Sequence, residues 1–284
     1  VLENHDVPRV VTRYAPLQQE ALGLEDQESQ LSAQIAEHEL TDEDFKRGRR
    51  RARAGMLLTL ALPGSAYIWQ GQELALNEIT DIPDGERQDP VWFRTKGVEK
   101  GRDGCRVPIP WTRDGSSLGF GPDGSKAWLT QPETWRELSV EAQEGDPASM
   151  LELTRKALHI RRREMALGDG DMAWRDDLGL GDEVLAFERP PIDGSPAVLV
   201  IVNTGQSDVE DHRGRPQVPD GGEGGLAVAC DVHAVAGGGE VEPDDVGDRG
   251  LVLDHVDEAP FARRLHEAHC SGGRASFRCP ADLD

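Results

Sequence analysis

An imidazole and a carboxylate lie side by side near the start of the chain, in the tripeptide Asn4-His5-Asp6, and Arg9 follows three residues after Asp6. Residues 1–3, just before them, predict the end of a buried strand. Polar side chains at the C-terminal end of a parallel strand lie where barrel enzymes keep their active sites. His5 and Asp6 are therefore candidate catalytic residues. The alternative is a turn in which Asp6 caps the next segment.

Two arginines flank an aspartate in a second candidate segment, residues 101–111. Arg102, Asp103 and Arg106 precede a Pro-x-Pro-Trp unit that ends at Trp111. Such a segment can hold a guanidinium in a fixed direction, and arginine suits bidentate hydrogen bonds to hydroxyls or carboxylates. The alternative is an internal arginine–aspartate pair that staples the loop. We expect one arginine to form that pair and the other to face a ligand.

Local patterns predict the elements that position these residues. Thr41 to Asp44 form a capping-box pattern, so a helix is expected over 45–62, ending at Pro63-Gly64. The short apolar run 66–69 is typical of a buried strand. A helix followed by a strand that is apolar on both faces fits a βα repeat with a parallel sheet.

Two long segments lack periodicity and are predicted to be loops. Residues 15–40 are polar and rich in Gln and Glu, and we interpret them as a loop with a short helix. Residues 82–111 contain Trp92, Phe93 and Trp111 besides the arginines. Long loops in compact folds are usually functional or disordered, and the aromatic residues favour an ordered loop here.

The second half of the chain begins with a helix-start pattern at Asp146-Pro147, with the aspartate as N-cap and the proline at the first helical position. The helix is expected to run to about Met165. The runs 184–189 and 197–203 are typical of antiparallel strands. A small β domain is therefore expected to begin near Gly168.

Charge and composition exclude several classes of function. The 284 residues carry 53 acidic against 31 basic side chains, a formal net charge of −22. Nucleic acids and anionic membranes attract basic patches, so neither is an expected partner. No apolar run approaches the roughly 18–20 residues of a membrane-spanning helix. Four cysteines do not make a disulfide framework, Cys105 is expected to be a buried free thiol, and no cofactor is predicted.

The composition changes after Gln206. Residues 206–284 contain no Lys, Ile, Thr, Asn, Met, Tyr or Trp, and they carry 17 acidic against 7 basic residues. Charged segments poor in aromatic and β-branched residues cannot bury enough surface to fold. We expect a disordered acidic tail, or an out-of-frame translation of GC-rich DNA, which gives the same bias. His266, Cys270 and their neighbours suggest zinc ligands, but the irregular spacing favours no metal site.

Five segments taken together resemble one known family. They are NHDVPR at 4–9, LPGSAYIWQGQEL at 62–74, DPVWFR at 89–94, GRDGCRVPIPW at 101–111 and SVEAQEGDPASMLELTRKALHIRR at 139–162. In order and spacing they resemble the α-glucosidase branch of the α-amylase superfamily (glycoside hydrolase family thirteen), close to oligo-1,6-glucosidase and maltase-type enzymes. The resemblance covers roughly the first 205 residues.

The resemblance implies an α/β fold. Residues 1–167 would be the C-terminal portion of a (β/α)8 TIM barrel, with strands seven and eight and their helices. The start of a small antiparallel β domain would follow over 168–205, and an irregular acidic tail, disordered or frameshifted, over 206–284. The run 66–70 looks like barrel strand eight, and the helix from Asp146 looks like helix eight.

The resemblance also implies roles for four residues. Asp6 matches the family's transition-state-stabilising carboxylate, and His5 matches the histidine that hydrogen-bonds the sugar in the −1 subsite. Arg106 looks like the arginine that grips the far hydroxyl side of that sugar. Arg9 looks like a loop-anchoring or subsite-wall residue. The family's nucleophile and general acid lie upstream of the Asn-His-Asp motif, so the chain alone is expected to be inactive.

The implied function is retaining hydrolysis of α-linked glucose oligosaccharides, in carbohydrate metabolism and in the cytoplasm. The expected partner is an α-glucoside oligosaccharide. One alternative is a non-catalytic paralogue that binds sugar or a partner through the same loops. Another is part of a transglycosylase or trehalose-forming isomerase of the same family, which shares these motifs. The motifs predict neither the linkage preference nor the oligomeric state.

Overall fold

A computed structural model describes residues 1–15 and 40–178 continuously, with shorter stretches beyond them. Those stretches are 181–182, 184–190, 197–203, 209–210, 216–218, 226–229 and 252–253. The chain divides into two compact units, one made of Val1–Leu60 and Ser65–His159 and the other of Ala61–Gly64 and Ile160–Asp284.

Helices and short helical turns are the regular elements in the described part of the first unit. The α-helices are α1 (Val10–Arg13), α2 (Asp42–Ala61), α3 (Pro90–Arg94), α4 (Val140–Gln143) and α5 (Met150–Arg163), and the last residues of α2 and α5 belong to the second unit. The 3-10 turns lie at Gln72–Leu74, Asp84–Glu86, Asp103–Arg106 and Glu133–Leu138. The predicted loop 82–111 therefore contains three short helical segments.

The predicted capping box begins α2. The Thr41 hydroxyl accepts a hydrogen bond from the Asp44 N–H at 3.2 Å, and the Asp44 carboxylate accepts one from the Thr41 N–H at 2.9 Å. The helix therefore starts at Asp42, three residues before the predicted start. Beyond its end, Gly64 adopts a φ of +87°, a conformation that suits glycine. The predicted stop of the helix is confirmed.

The helix expected from Asp146 begins later, at Met150. Ser149 is its cap, because the Ser149 hydroxyl accepts a hydrogen bond from the Glu152 N–H at 3.1 Å. The Asp146 carboxylate instead accepts a backbone N–H two residues later, in the turn that leads into the helix. The prediction was displaced because an Asp-Pro dipeptide can begin a turn as well as a helix.

The predictions of two strands in the first unit are wrong. Residues 1–3 and 66–70 form no β ladder with any described residue. A parallel strand exists only through the hydrogen bonds that it shares with its neighbours. Tyr67 is 66% exposed, which is contrary to a strand buried on both faces. The expected barrel strands seven and eight are therefore not formed among the described residues.

A hydrophobic core of the first unit includes the end of the candidate segment 101–111. Its buried members are Leu74, Leu76, Ile79, Ile82, Val107, Ile109, Leu118, Leu129, Trp135 and Leu151. Trp135 is completely buried, and its indole N–H donates to the Asn77 side-chain oxygen at 3.2 Å, so its polar atom is satisfied. Because Val107 and Ile109 belong to this core, the arginines that precede them have a rigid base.

The described part of the second unit contains an antiparallel sheet. β1 (Ala173–Trp174) pairs with β2 (Val184–Arg189), which pairs along its whole length with β3 (Val198–Asn203). The unit also contains α6 (Met165–Gly168) and a 3-10 turn at Asp176–Leu178. The predicted strands 184–189 and 197–203 are confirmed to within one residue.

Short strands also occur after residue 206. They are β4 (Val209–Glu210), β5 (Pro216–Val218), β6 (Leu226–Ala229) and β7 (Val252–Leu253). β6 pairs with β3, and β7 pairs with β6, so the expectation of a wholly irregular tail is wrong for these residues.

The segment 16–39 and the zinc-ligand candidates His266 and Cys270 lie outside the described residues. No helix in the described part of the chain combines the length and the apolar character needed to cross a bilayer.

Candidate active site

The tripeptide Asn4-His5-Asp6 forms a tight turn that presents two side chains to solvent. The Asn4 side-chain oxygen accepts a hydrogen bond from the Asp6 N–H at 2.7 Å. Asparagine closes turns in this way because its short side chain reaches the backbone two residues on. His5 Nε2 lies 3.2 Å from Asp6 Oδ2, and the two side chains are 62% and 46% exposed. An imidazole and a carboxylate are thus both accessible at one corner.

Both arginines of the segment 101–111 converge on Asp6. Arg102 Nη1 donates to Asp6 Oδ1 at 2.7 Å, and Arg106 Nη2 donates to the same oxygen at 3.3 Å. Arg106 Nε also donates to the His5 backbone oxygen at 2.9 Å. These charge-assisted hydrogen bonds fix the direction of the Asp6 carboxylate. Sequence-predicted residues His5, Asp6 and Arg106 are therefore brought together.

A second carboxylate, Asp89, lies behind the same arginines and is absent from the sequence-predicted site. Asp89 Oδ2 accepts the Arg102 Nε–H at 2.7 Å and the Arg102 backbone N–H at 3.1 Å, and it lies 3.5 Å from Arg106 Nη1. The Asp89 side chain is completely buried. Burial acts to raise its pKa, but the hydrogen bonds from Arg102 and from the Val91 N–H outweigh burial and lower the pKa to about 2.

The predicted staple of the loop is present with a different carboxylate. Asp103 Oδ2 accepts the backbone N–H groups of Gln88 and Asp89, at 2.8 and 3.0 Å. Asp89, and not Asp103, forms the arginine–aspartate pair of the loop, and both Arg102 and Arg106 take part in it. The expectation that one of the two arginines pairs within the loop while the other faces a ligand therefore does not describe this arrangement. The local signal for Asp89 is the Asp-Pro dipeptide at the start of α3, where Asp89 Oδ1 accepts the Val91 N–H. Nothing local indicates its arginine partner 13 residues away.

An aromatic ring borders His5. The ring centroids of His5 and Trp69 are 5.9 Å apart, with an angle of 47° between the rings. The Trp69 indole N–H donates to the Cys105 carbonyl at 3.1 Å, which fixes the ring. Cys105 is a buried free thiol, as expected, and burial raises its pKa to about 12. The thiol is therefore protonated and unreactive at neutral pH.

Arg9 is completely buried and anchors the loops beneath the site. Arg9 Nη1 donates to the Gln70 carbonyl at 2.9 Å, and Nη2 donates to the Cys105 carbonyl at 3.2 Å. Gly71 permits this approach, because a Cβ at Gly71 would lie 2.7 Å from Arg9 Nη1. Arg9 has no exposed surface to offer a sugar. These hydrogen bonds tie Arg9 to the backbone of two loops.

Two glutamates flank Arg9, of which Glu3 is buried and Glu78 is partly buried. Glu3 Oε1 accepts the Val10 N–H at 3.1 Å, so Glu3, and not Asp6, satisfies the start of α1. Glu78 Oε2 accepts the Arg9 N–H at 2.9 Å. Burial raises the pKa of both carboxyls to about 7, against the opposing effect of Arg9. Among the described residues, no three His, Cys, Asp or Glu side chains are grouped in a way that could hold a metal ion.

Comparison with known proteins gives this arrangement a family. Residues 1–170 match the family described as alpha amylase, catalytic domain. A probable alpha-glucosidase of Rhizobium meliloti (strain 1021) is 33% identical over 206 residues, which are 70% of this chain and 30% of that protein. The trehalose synthase of Pimelobacter sp. (strain R48) is 31% identical over 153 residues, which are 51% of this chain and 23% of that protein.

A solved structure resembles the chain in fold and in sequence. The crystal structure of an alpha-glucosyl transfer enzyme, XgtA, superposes with a TM-score of 0.53 at 31% identity, covering 72% of this chain and 31% of that one. The match to this catalytic domain implies the TIM-barrel class of fold. The chain belongs to the α-amylase family of glycoside hydrolases and is α-glucosidase-like. It spans about a third or less of the length of these relatives.

Proposed function

We propose that this chain supplies the sugar-binding and charge-stabilising part of an α-glucosidase active site, for retaining hydrolysis of α-linked glucose oligosaccharides. The observation that carries the proposal is the exposed corner of His5 and Asp6, held by Arg106 and bordered by Trp69. The 33% identity to a probable alpha-glucosidase supports this choice of reaction.

The proposed chemistry assigns a different task to each exposed residue. Cleavage of a glycosidic bond builds positive charge on the ring carbon and oxygen of the sugar. The Asp6 carboxylate stabilises that charge, and it is oriented before the sugar arrives because Arg106 already bonds it. His5 hydrogen-bonds the hydroxyls of the same sugar, and Arg106 reaches its far side.

The chain alone is proposed to be inactive. Retaining hydrolysis needs a nucleophilic carboxylate and a carboxylic acid about 5–5.5 Å apart. Asp89 fills neither role, because it is completely buried and donors occupy both of its oxygens. We propose that the nucleophile and the acid come from the part of the relatives' length that this chain does not span. Pure 284-residue protein should therefore release no nitrophenol from p-nitrophenyl α-glucoside.

A chimera tests the proposed activity directly. The matching segment of the Rhizobium meliloti relative is replaced by this chain's own residues, and nitrophenol release is measured. We expect hydrolysis by the chimera and a loss of about 10²–10³-fold in kcat when it carries Asp6→Asn. Glu86→Gln is the matched control, since Glu86 pairs with Lys126 elsewhere in the loop. Full activity of the Asp6→Asn chimera would overturn the proposal.

Glucosyl transfer is a second candidate. The XgtA structure and the Pimelobacter trehalose synthase are each 31% identical to this chain. The same carboxylate, imidazole and arginine serve transfer, because transfer differs in the acceptor and not in the bond that breaks. Product analysis of the chimera on maltose separates the two: glucose indicates hydrolysis, and trehalose or longer oligosaccharides indicate transfer. A chimera that binds maltose without any product favours a non-catalytic sugar-binding paralogue.

A further inference from the structure

We propose that Asp89 is a positioning residue: it holds the guanidinium groups of Arg102 and Arg106 in the orientation that aims both at Asp6. Each arginine bridges the two carboxylates. Arg102 gives its Nε–H to Asp89 and its Nη1–H to Asp6, at 2.7 Å in both cases. Arg106 places Nη1 3.5 Å from Asp89 and Nη2 3.3 Å from Asp6.

Burial makes Asp89 the fixed end of this network. Asp89 is completely buried, whereas the Asp6 side chain is nearly half exposed. A buried carboxylate has no water to replace a lost partner, so its hydrogen bonds are kept, while an exposed one exchanges partners readily. The arginines are therefore held from behind by Asp89, and Asp6 is held through them.

The backbone around Asp89 is itself held rigidly. Asp103 accepts the N–H groups of Gln88 and Asp89, and Asp89 accepts the Val91 N–H. Gly101 lets its backbone approach Asp89 closely, because a Cβ at Gly101 would lie 2.7 Å from the Asp89 Cβ. A line of contacts thus leads from Asp103 through Asp89 and the arginines to Asp6.

The consequence for the site rests on the proposed function of Asp6. Two guanidinium charges face two carboxylates, so each carboxylate is matched by one positive charge. Without the Asp89 charge, both guanidiniums would be left with Asp6 alone, and they would neutralise the carboxylate that is proposed to stabilise the transition state. Asp89 therefore keeps Asp6 both oriented and available, without touching the sugar.

Nuclear magnetic resonance of the arginine side chains of the full 284-residue chain tests this inference without any sugar. The Nε–H resonances of Arg102 and Arg106 are observed in the wild type, in Asp89→Asn and in Asp6→Asn. We expect hydrogen exchange at the Arg102 Nε–H, which Asp89 accepts, to accelerate at least tenfold in Asp89→Asn and less than threefold in Asp6→Asn. Glu86 is a carboxylate of the same loop that pairs with Lys126. Glu86→Gln should leave the exchange of both Nε–H groups unchanged.

Two results would overturn the inference. One is exchange in Asp89→Asn within twofold of the wild type, and the other is equal acceleration in Asp6→Asn. A measurement on the wild type covers the case in which Asp89→Asn does not fold: we expect a scalar coupling across the hydrogen bond between Arg102 Nε and Asp89 Cγ, and its absence also contradicts the inference. None of these readouts depends on sugar turnover, so failure of the chimera would refute the proposed function and leave this result intact.

Discussion

Arg102 Nη1 and Asp6 Oδ1 lie 2.7 Å apart, although 96 residues separate them in the chain. The same guanidinium reaches Asp89 on its other side, again at 2.7 Å. One arginine therefore joins a carboxylate that water reaches to one that water does not reach. The two carboxylates should respond very differently to removal of their charge.

The stability of the chain should separate these two carboxylates. Asp6→Asn should change the free energy of unfolding by less than about 1 kcal/mol, because ion pairs between exposed groups contribute little. Asp89→Asn should cost about 3 kcal/mol, because it leaves the guanidinium groups without their buried partner. Equilibrium unfolding in urea, followed by circular dichroism, measures both values.

The control for this comparison is Asp84→Asn in the same loop. Asp84 is highly exposed and lies 3.9 Å from Arg87, so its removal should change the free energy of unfolding by less than about 0.5 kcal/mol. Equal costs for Asp6→Asn and Asp89→Asn would show that the burial of Asp89 has no energetic consequence.

Gly101 is predicted to be irreplaceable next to Asp89. It adopts a φ of +73°, and a Cβ there would lie 2.7 Å from the Asp89 Cβ. Gly101→Ala should combine about 1–2 kcal/mol of backbone strain with a steric penalty of similar size. Gly124→Ala is the matched control, because Gly124 has a φ of +82° and no heavy atom within 4 Å of the added Cβ. Thermal unfolding that shows the same loss for both variants would contradict the steric contribution.

Features that depend on a few neighbouring residues were predictable from the sequence. The Thr41 and Asp44 capping box is complete within four residues, and the stop at Gly64 needs only a positive φ. The strands β2 and β3 were also predicted, because their apolar runs are continuous and each pairs with the other. The resemblance to the family, carried by five collinear segments, placed His5, Asp6 and Arg106 in one site.

Features that depend on distant partners were not predictable. The run 66–70 is apolar enough for a strand, yet a strand is defined by a neighbouring ladder, and no described residue provides one. Asp89 lay in a segment predicted to be a loop, while its role depends on Arg102 and Arg106. Asp103 stands beside both arginines in the sequence, but its carboxylate bonds backbone N–H groups instead. Adjacency in the chain indicated the wrong partner.

The segment after residue 206 should protect an edge of the sheet. β6 pairs with β3 through Ile201↔Ala227 and Val202↔Leu226. Ending the chain after Gly205 removes β6, and an uncovered apolar strand edge promotes association. We expect the 1–205 chain to elute as a larger species than the full chain in size-exclusion chromatography.

A chain ending at Ala229 is the control, because it keeps β6 beside β3. It should elute with less association than the 1–205 chain. If the two truncated chains behave alike and match the full chain, the pairing of β6 has no structural effect, and an out-of-frame origin of the segment would be favoured.

The partly buried Glu78 should make stability decrease as the pH rises. Burial raises its pKa from 4.5 to about 7 in the folded chain. Between these two values the native state keeps a proton that the unfolded state has released, so a rising pH favours unfolding. The contribution of the raised pKa is therefore fully present below about pH 4.5 and is lost as the pH passes 7.

Glu78→Gln isolates this contribution, since glutamine stays neutral throughout. Its free energy of unfolding should fall less steeply with pH than that of the wild type between pH 5 and pH 8. The two slopes should differ by at most about the amount that the release of one proton produces. Glu86→Gln should keep the wild-type slope, because hydrogen bonds from Thr130 and Lys126 lower the pKa of Glu86 and keep it ionised across this window. Glu3, whose pKa burial also raises to about 7, accounts for part of the slope that remains in Glu78→Gln. Identical slopes for Glu78→Gln and the wild type would mean that Glu78 is ionised in the folded chain, with Arg9 overcoming the effect of burial.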